Sequence, residues 1–137
     1  LKKKVDYPGT VSTEKFNKIC TDIVKFPNIK NLEIYDNSLH VITLKNLIID
    51  NHLQRGQWGY FYQLLSTDLS ILSKIITEKY QTLTYYGFEV NFFQNFILEN
   101  QIKGIDRIVP LGRSMEMSYL WDGYNLLRSL TRIIDIK

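Results

Sequence analysis

Apolar residues at Phe16, Ile19, Cys20, Ile23 and Phe26 recur at helical spacing; Ser12 and Thr13 can cap the segment and Pro27 ends it. This predicts an amphipathic helix with Cys20 turned to the core. Two short apolar runs follow, Leu32 to Tyr35 and Leu39 to Thr43, and Asp36, Asn37 and Ser38 between them have the turn chemistry of an antiparallel hairpin. Trp58 to Leu65 is aromatic and aliphatic throughout, as expected of a central strand buried on both faces.

Ser66, Thr67 and Asp68 then offer an N-cap to a stripe of Leu69, Leu72, Ile75, Ile76 and Tyr80, which predicts a second helix. Gln81 to Tyr86 reads as a strand that turns at Gly87. Val90, Phe93, Phe96 and Ile97 mark a third helix ending near Gly104, and Ile105 to Val109 a third strand. A succession of strand, helix, strand, helix, strand with short connections predicts three parallel strands, at about Trp58 to Leu64, Thr82 to Tyr86 and Ile105 to Val109. Pro110 to Trp121 has no clean period and reads as an ordered loop. Asp122 is expected to cap a helix through Leu126, Leu127 and Leu130, and Arg132 to Ile136 to form a last strand. The fold class is therefore α/β: a partly parallel sheet with flanking helices, preceded by a helix and a hairpin.

Composition narrows the picture. At 137 residues with 45% hydrophobic content, the chain is expected to form a single α/β unit over residues 1–137. Its net charge of +3 equals the Lys2, Lys3, Lys4 run; the remaining Lys and Arg residues are scattered among acids, without the basic stripe of a nucleic-acid binder. No apolar stretch approaches the roughly 20 residues of a membrane span. One cysteine excludes an internal disulfide framework and fits a reducing cytoplasm. Leu1 is neither a start methionine nor the opening of a signal peptide, so the chain reads as cut from a longer one.

Candidate chemistry is sparse. Cys20 sits mid-helix with no histidine near it in sequence, which argues for a packing role. His40 and His52 belong to no recognisable zinc pattern, and no metal site is expected. Gly56 and Gly59 precede a strand instead of joining strand to helix, unlike a phosphate-cradling loop. Glu116, Asp106 and Asp122 could converge near strand ends, but carboxylates so spaced are common. The loop after Val109 is the stronger candidate, because ligands of open α/β sheets bind beyond the carboxyl ends of the strands. It carries Arg113, Met115, Met117 and Trp121, a cation beside flexible and aromatic apolar groups, as an amphipathic ligand requires. The same side chains could instead simply cover the end of the sheet.

Lys103-Gly104-Ile105-Asp106-Arg107-Ile108-Val109-Pro110-Leu111-Gly112-Arg113, with Trp121-Asp122-Gly123-Tyr124 and Leu127-Arg128-Ser129-Leu130-Thr131-Arg132-Ile133-Ile134, resembles the C-terminal end of the fatty acyl-CoA reductases of bacterial bioluminescence, a branch of the aldehyde dehydrogenase superfamily. Gly56-Gln57-Trp58-Gly59-Tyr60-Phe61-Tyr62 and Lys79-Tyr80-Gln81-Thr82-Leu83-Thr84-Tyr85-Tyr86-Gly87 agree in order and spacing, so the resemblance runs from about Asn31 to the end.

The resemblance implies the C-terminal portion of an aldehyde-dehydrogenase-like catalytic domain in an enzyme that reduces long-chain acyl-CoA to fatty aldehyde with NADPH through a cysteine thioester. The cysteine and most of the NADPH site would precede Leu1; no catalytic residue would lie in this chain, which would be inactive alone. The partners implied are the rest of the parent chain and long-chain acyl-CoA. The loop Gly112 to Trp121 would lie near the substrate tunnel. An acidic residue of that superfamily, just ahead of the strand matching Trp58 to Leu64, helps hold the nicotinamide ribose; Gln54, Arg55, Gly56 and Gln57 stand there, and no cofactor contact carries over. Removal from a larger unit is expected to leave apolar surface through which copies associate as a homo-oligomer. The rival reading is a non-catalytic α/β protein-interaction module.

Overall fold

The computed structural model describes residues 8–137; the Lys2, Lys3, Lys4 run lies outside them. The molecule is mixed α/β with small sheets and divides into two compact units, 1–71 and 72–137.

In the first unit, helix α1 (Gly9–Lys25) begins earlier than Ser12, with Pro8 at the N-cap and its carbonyl bonded by the Val11 N–H at 2.9 Å. It ends at Phe26, held extended as residues before proline are. Strands β1 (Ile29–Tyr35) and β2 (Leu39–Leu44) form the expected antiparallel hairpin, with Tyr35 opposite Leu39. β3 (Tyr60–Gln63) pairs in parallel with β2, His40 opposite Tyr60.

The order β1-β2-β3 makes β2 the central strand and puts β3 at the edge, a correction to its expected central place. β2 alternates as a one-sided strand should: His40, Ile42 and Leu44 are buried and the residues between them only partly so. Ile42, Leu44 and Tyr60 pack with Ile19 of α1 into the core, where Ile42 is fully buried. Truncating such a residue to alanine removes about 2–5 kcal/mol.

The face that α1 buries also differs from expectation. Val11, Lys15, Ile19 and Asp22 are inside, whereas Cys20, Phe16 and Ile23 are exposed. The apolar period lost to polar partners. Lys15 donates to the Asn37 carbonyl, and Asp22 accepts from Lys18 and from the hydroxyls of Tyr60 and Tyr62. A buried charge with such partners no longer favours the solvent-facing side of a helix.

The second unit holds β4 (Thr82–Tyr85) and β5 (Arg107–Pro110), paired in parallel with Thr82 opposite Arg107. Helix α2 (Val90–Asn100) connects them, as predicted, and buries Phe93 and Phe96; the Phe93 ring lies 4.6 Å from that of Tyr85. Gly104 could be nothing else, because its φ is +105° and a Cβ there would meet the Thr77 backbone carbon at 2.2 Å.

The helix expected between Asp68 and Tyr80 reduces to a short 3-10 stretch, Ser70–Lys74. Asp68 still makes a capping contact at its start, accepting from the Ser70 N–H at 2.8 Å and the Ser70 hydroxyl at 2.7 Å. Without that crossover helix β3 and β4 belong to separate sheets, and the three parallel strands expected in one sheet are two parallel pairs.

Past β5 comes a small hairpin, β6 (Leu120–Trp121) with β7 (Tyr124–Asn125), and a single helical turn, α3 (Leu126–Leu130). Asp122 is therefore a turn residue at φ 48°, followed by Gly123 at φ 76°, and the N-cap is Asn125, whose side chain accepts from the Arg128 N–H at 3.1 Å. Arg132 to Ile136 has no strand partner among the described residues. No described helix is long and apolar enough to cross a membrane.

Candidate functional site

The loop singled out in the sequence leaves the carboxyl end of β5, where β4 still guides it: the Leu111 N–H bonds the Tyr85 carbonyl at 2.8 Å. A first turn closes from the Arg113 N–H to the Pro110 carbonyl at 3.0 Å and a second from the Glu116 N–H to the Arg113 carbonyl at 3.2 Å.

What fixes the rest is Arg107, the first residue of β5. Its guanidinium donates from Nη1 to the Ser114 carbonyl at 3.1 Å and from Nη2 to the Glu116 carbonyl at 2.7 Å. The same group lies 4.5 Å from the ring centroid of Trp121. One side chain thus ties the strand, the loop and β6 together with the planar, forked geometry that arginine offers and lysine does not. Gly123, in the turn after β6, closes against Asp106, the residue before Arg107: a Cβ there would come within 2.9 Å of Asp106 Oδ1.

The four expected site residues fare differently within this frame. Trp121 is half-buried under Arg107. Arg113 is paired with Glu116, Nη2 to Oε2 at 2.6 Å, and both side chains are more than half exposed. That contact raises the guanidinium above its ordinary pKa and holds the Glu116 carboxyl below the usual glutamate value. Met115 and Met117 point to solvent, 86% and 75% exposed. The loop accordingly presents a cation already matched to a carboxylate beside two uncommitted flexible apolar side chains. The base of the loop is tied by hydrogen bonds, and its two methionines are exposed.

Arg107 is the residue that sequence reasoning passed over, although it stands inside the quoted Asp-Arg-Ile-Val-Pro stretch. Its signal was a lone arginine at the mouth of an otherwise apolar strand. Elsewhere, Cys20 is exposed on α1, and among the described residues no three His, Cys, Asp or Glu side chains are grouped to hold a metal ion.

Set against known proteins, the chain matches no family model, no curated protein and no solved structure.

Proposed function

We propose that this chain is the C-terminal part of the catalytic domain of an aldehyde-dehydrogenase-like acyl-CoA reductase, which converts long-chain acyl-CoA to fatty aldehyde with NADPH. The observation that carries the reading is the Arg107 knot. Two of the pieces in which the sequence resembles that family meet there: the Arg107 guanidinium lies over Trp121, and Gly123 closes against Asp106. The parallel β4–β5 pair with its loop at the carboxyl edge is also the place where an α/β sheet receives a ligand.

In this role the chain supplies sheet and one wall of the acyl tunnel. The reaction itself needs a cysteine thiolate to displace coenzyme A, giving an enzyme thioester, and a hydride from NADPH to release the aldehyde and regenerate the thiolate. Cys20 does not match the family's cysteine, so on this reading the nucleophile belongs to protein outside this chain. The enzyme would be cytoplasmic.

The test is kinetic and uses the whole reductase. Trp121→Ala should raise KM for long acyl-CoA several-fold more than for short, because it removes apolar wall and not chemistry. An equal change for both chain lengths would take the loop out of the acyl site.

A further inference from the structure

In the first unit, α1 and the turn leading into β3 enclose an open pocket of about 240 Å³. Glu14, Lys15 and Lys18 line it from the helix, and Arg55, Trp58 and Tyr60 from the turn. Three cations and one carboxylate line it, and a second carboxylate, Asp22, pairs with Lys18 from behind, so that Arg55 is the cation left without a carboxylate partner among the described residues.

Lys18 Nζ donates to the two oxygens of Asp22 at 2.9 and 3.0 Å, and Asp22, only 2% exposed, also accepts from the Tyr60 and Tyr62 hydroxyls. The ammonium stands 5.6 Å from the centroid of each of those rings. Lys15, 3% exposed, donates to the Asn37 carbonyl. Arg55 donates from Nε to the His52 carbonyl at 2.9 Å, and neither of its terminal nitrogens is bonded among the described residues. Its forked end is thereby available to an oxyanion in the bidentate manner typical of guanidinium.

The turn is shaped to keep an indole at the rim. Gly56 leaves no room for a side chain, since a Cβ would fall 1.9 Å from the Tyr60 carbonyl oxygen. Trp58 takes a left-handed φ of 56° and Gly59 one of 78°. The left-handed region disfavours so bulky a residue as tryptophan, and backbone of this kind persists where the surroundings impose it, often at ligand sites. Trp58 is nonetheless about half exposed.

We infer that this pocket binds a small phosphate ester bearing a planar ring, the phosphate held by Arg55 and Lys18 with Lys15 adding charge, and the ring laid on Trp58. Its volume is below the roughly 300 Å³ at which pockets for drug-sized ligands begin, which suits one ring and one phosphate. The inference stands on the first unit alone and does not depend on the reductase reading.

Phenyl phosphate is the minimal probe, titrated calorimetrically into the whole chain beside inorganic phosphate and phenol. Phenyl phosphate should bind saturably, inorganic phosphate should compete more weakly, and phenol should give no heat. Arg55→Gln, an exposed substitution expected to leave the fold intact, should weaken phenyl phosphate at least tenfold. Trp58→Gly, which a left-handed turn accepts without strain, should reduce its affinity to that of inorganic phosphate. Absence of saturable binding, equal binding of phenol, failure of phosphate to compete, or unchanged affinity in folded Arg55→Gln would each overturn the inference.

Discussion

Cys20 shows how one residue's environment turns on its neighbours. Its place among Phe16, Ile19 and Ile23 suggested a buried thiol, but α1 rolls to bury Lys15 and Asp22 and leaves the sulfur in solvent. In the folded protein Cys20 should therefore react with a soluble thiol reagent at nearly the rate of the denatured chain. Strong protection would contradict the helix's orientation. His40 is the opposite case, a polar residue that alternation in β2 sends inward, with Nδ1 unbonded among the described residues. Loss of hydration lowers its pKa and Lys15 lowers it further, partly offset by the Asp36 backbone. A depressed folded-state value means stability that is complete above the ordinary histidine pKa near 6.5 and is lost as pH falls through the folded one. The denaturation midpoint should accordingly fall on going from neutral pH into the acid side of 6.5, and less so in His40→Leu; equal slopes would remove His40 as the cause. Neither outcome was legible from periodicity alone, because both depend on which polar groups find partners across the fold.

Among elements, those set by local chemistry were readable and those set by competition were not. The β1–β2 hairpin follows from its polar turn between two apolar runs, and α2 from four apolar residues on one face. Asp122-Gly123 was misread as a helix start although Asp-Gly is the preferred two-residue hairpin turn; the leucines beyond it distracted from that. The segment from Asp68 to Tyr80 has helical period and an Asp68 cap, yet forms only the 3-10 stretch Ser70–Lys74. The stretch Pro110 to Trp121, expected as a loop, begins inside β5 and ends in β6, and the group that ties it, Arg107, carried no periodic signal. Arg107→Lys should lose the fork and the stacking together, lowering the hydrogen-exchange protection of residues 113–121 by about 1–3 kcal/mol while β4 and β5 keep theirs. Unchanged protection in the loop would mean that Arg107 does not hold it.

For the molecule as a whole, the sequence suggested one α/β unit; the structure divides into two compact units, the first with one small sheet and the second with two. Much apolar surface is left in solvent, above all near the end of the chain, where Leu130, Ile133, Ile134 and Ile136 are each more than four-fifths exposed. Such surface is uncommon on a self-sufficient domain and agrees with a chain that packs against further protein, whether its own parent or, on the rival reading as an interaction module, another molecule. Catalysis separates these two. The direct measurement is to express this chain together with its upstream coding sequence, supply a long-chain acyl-CoA and NADPH, and follow fatty aldehyde and NADPH consumption together. One aldehyde should form per NADPH oxidised, dependent on a cysteine upstream of Leu1 and unaffected by Cys20→Ser. Absence of an upstream cysteine-bearing segment, or no aldehyde from a folded protein that has one, would contradict it.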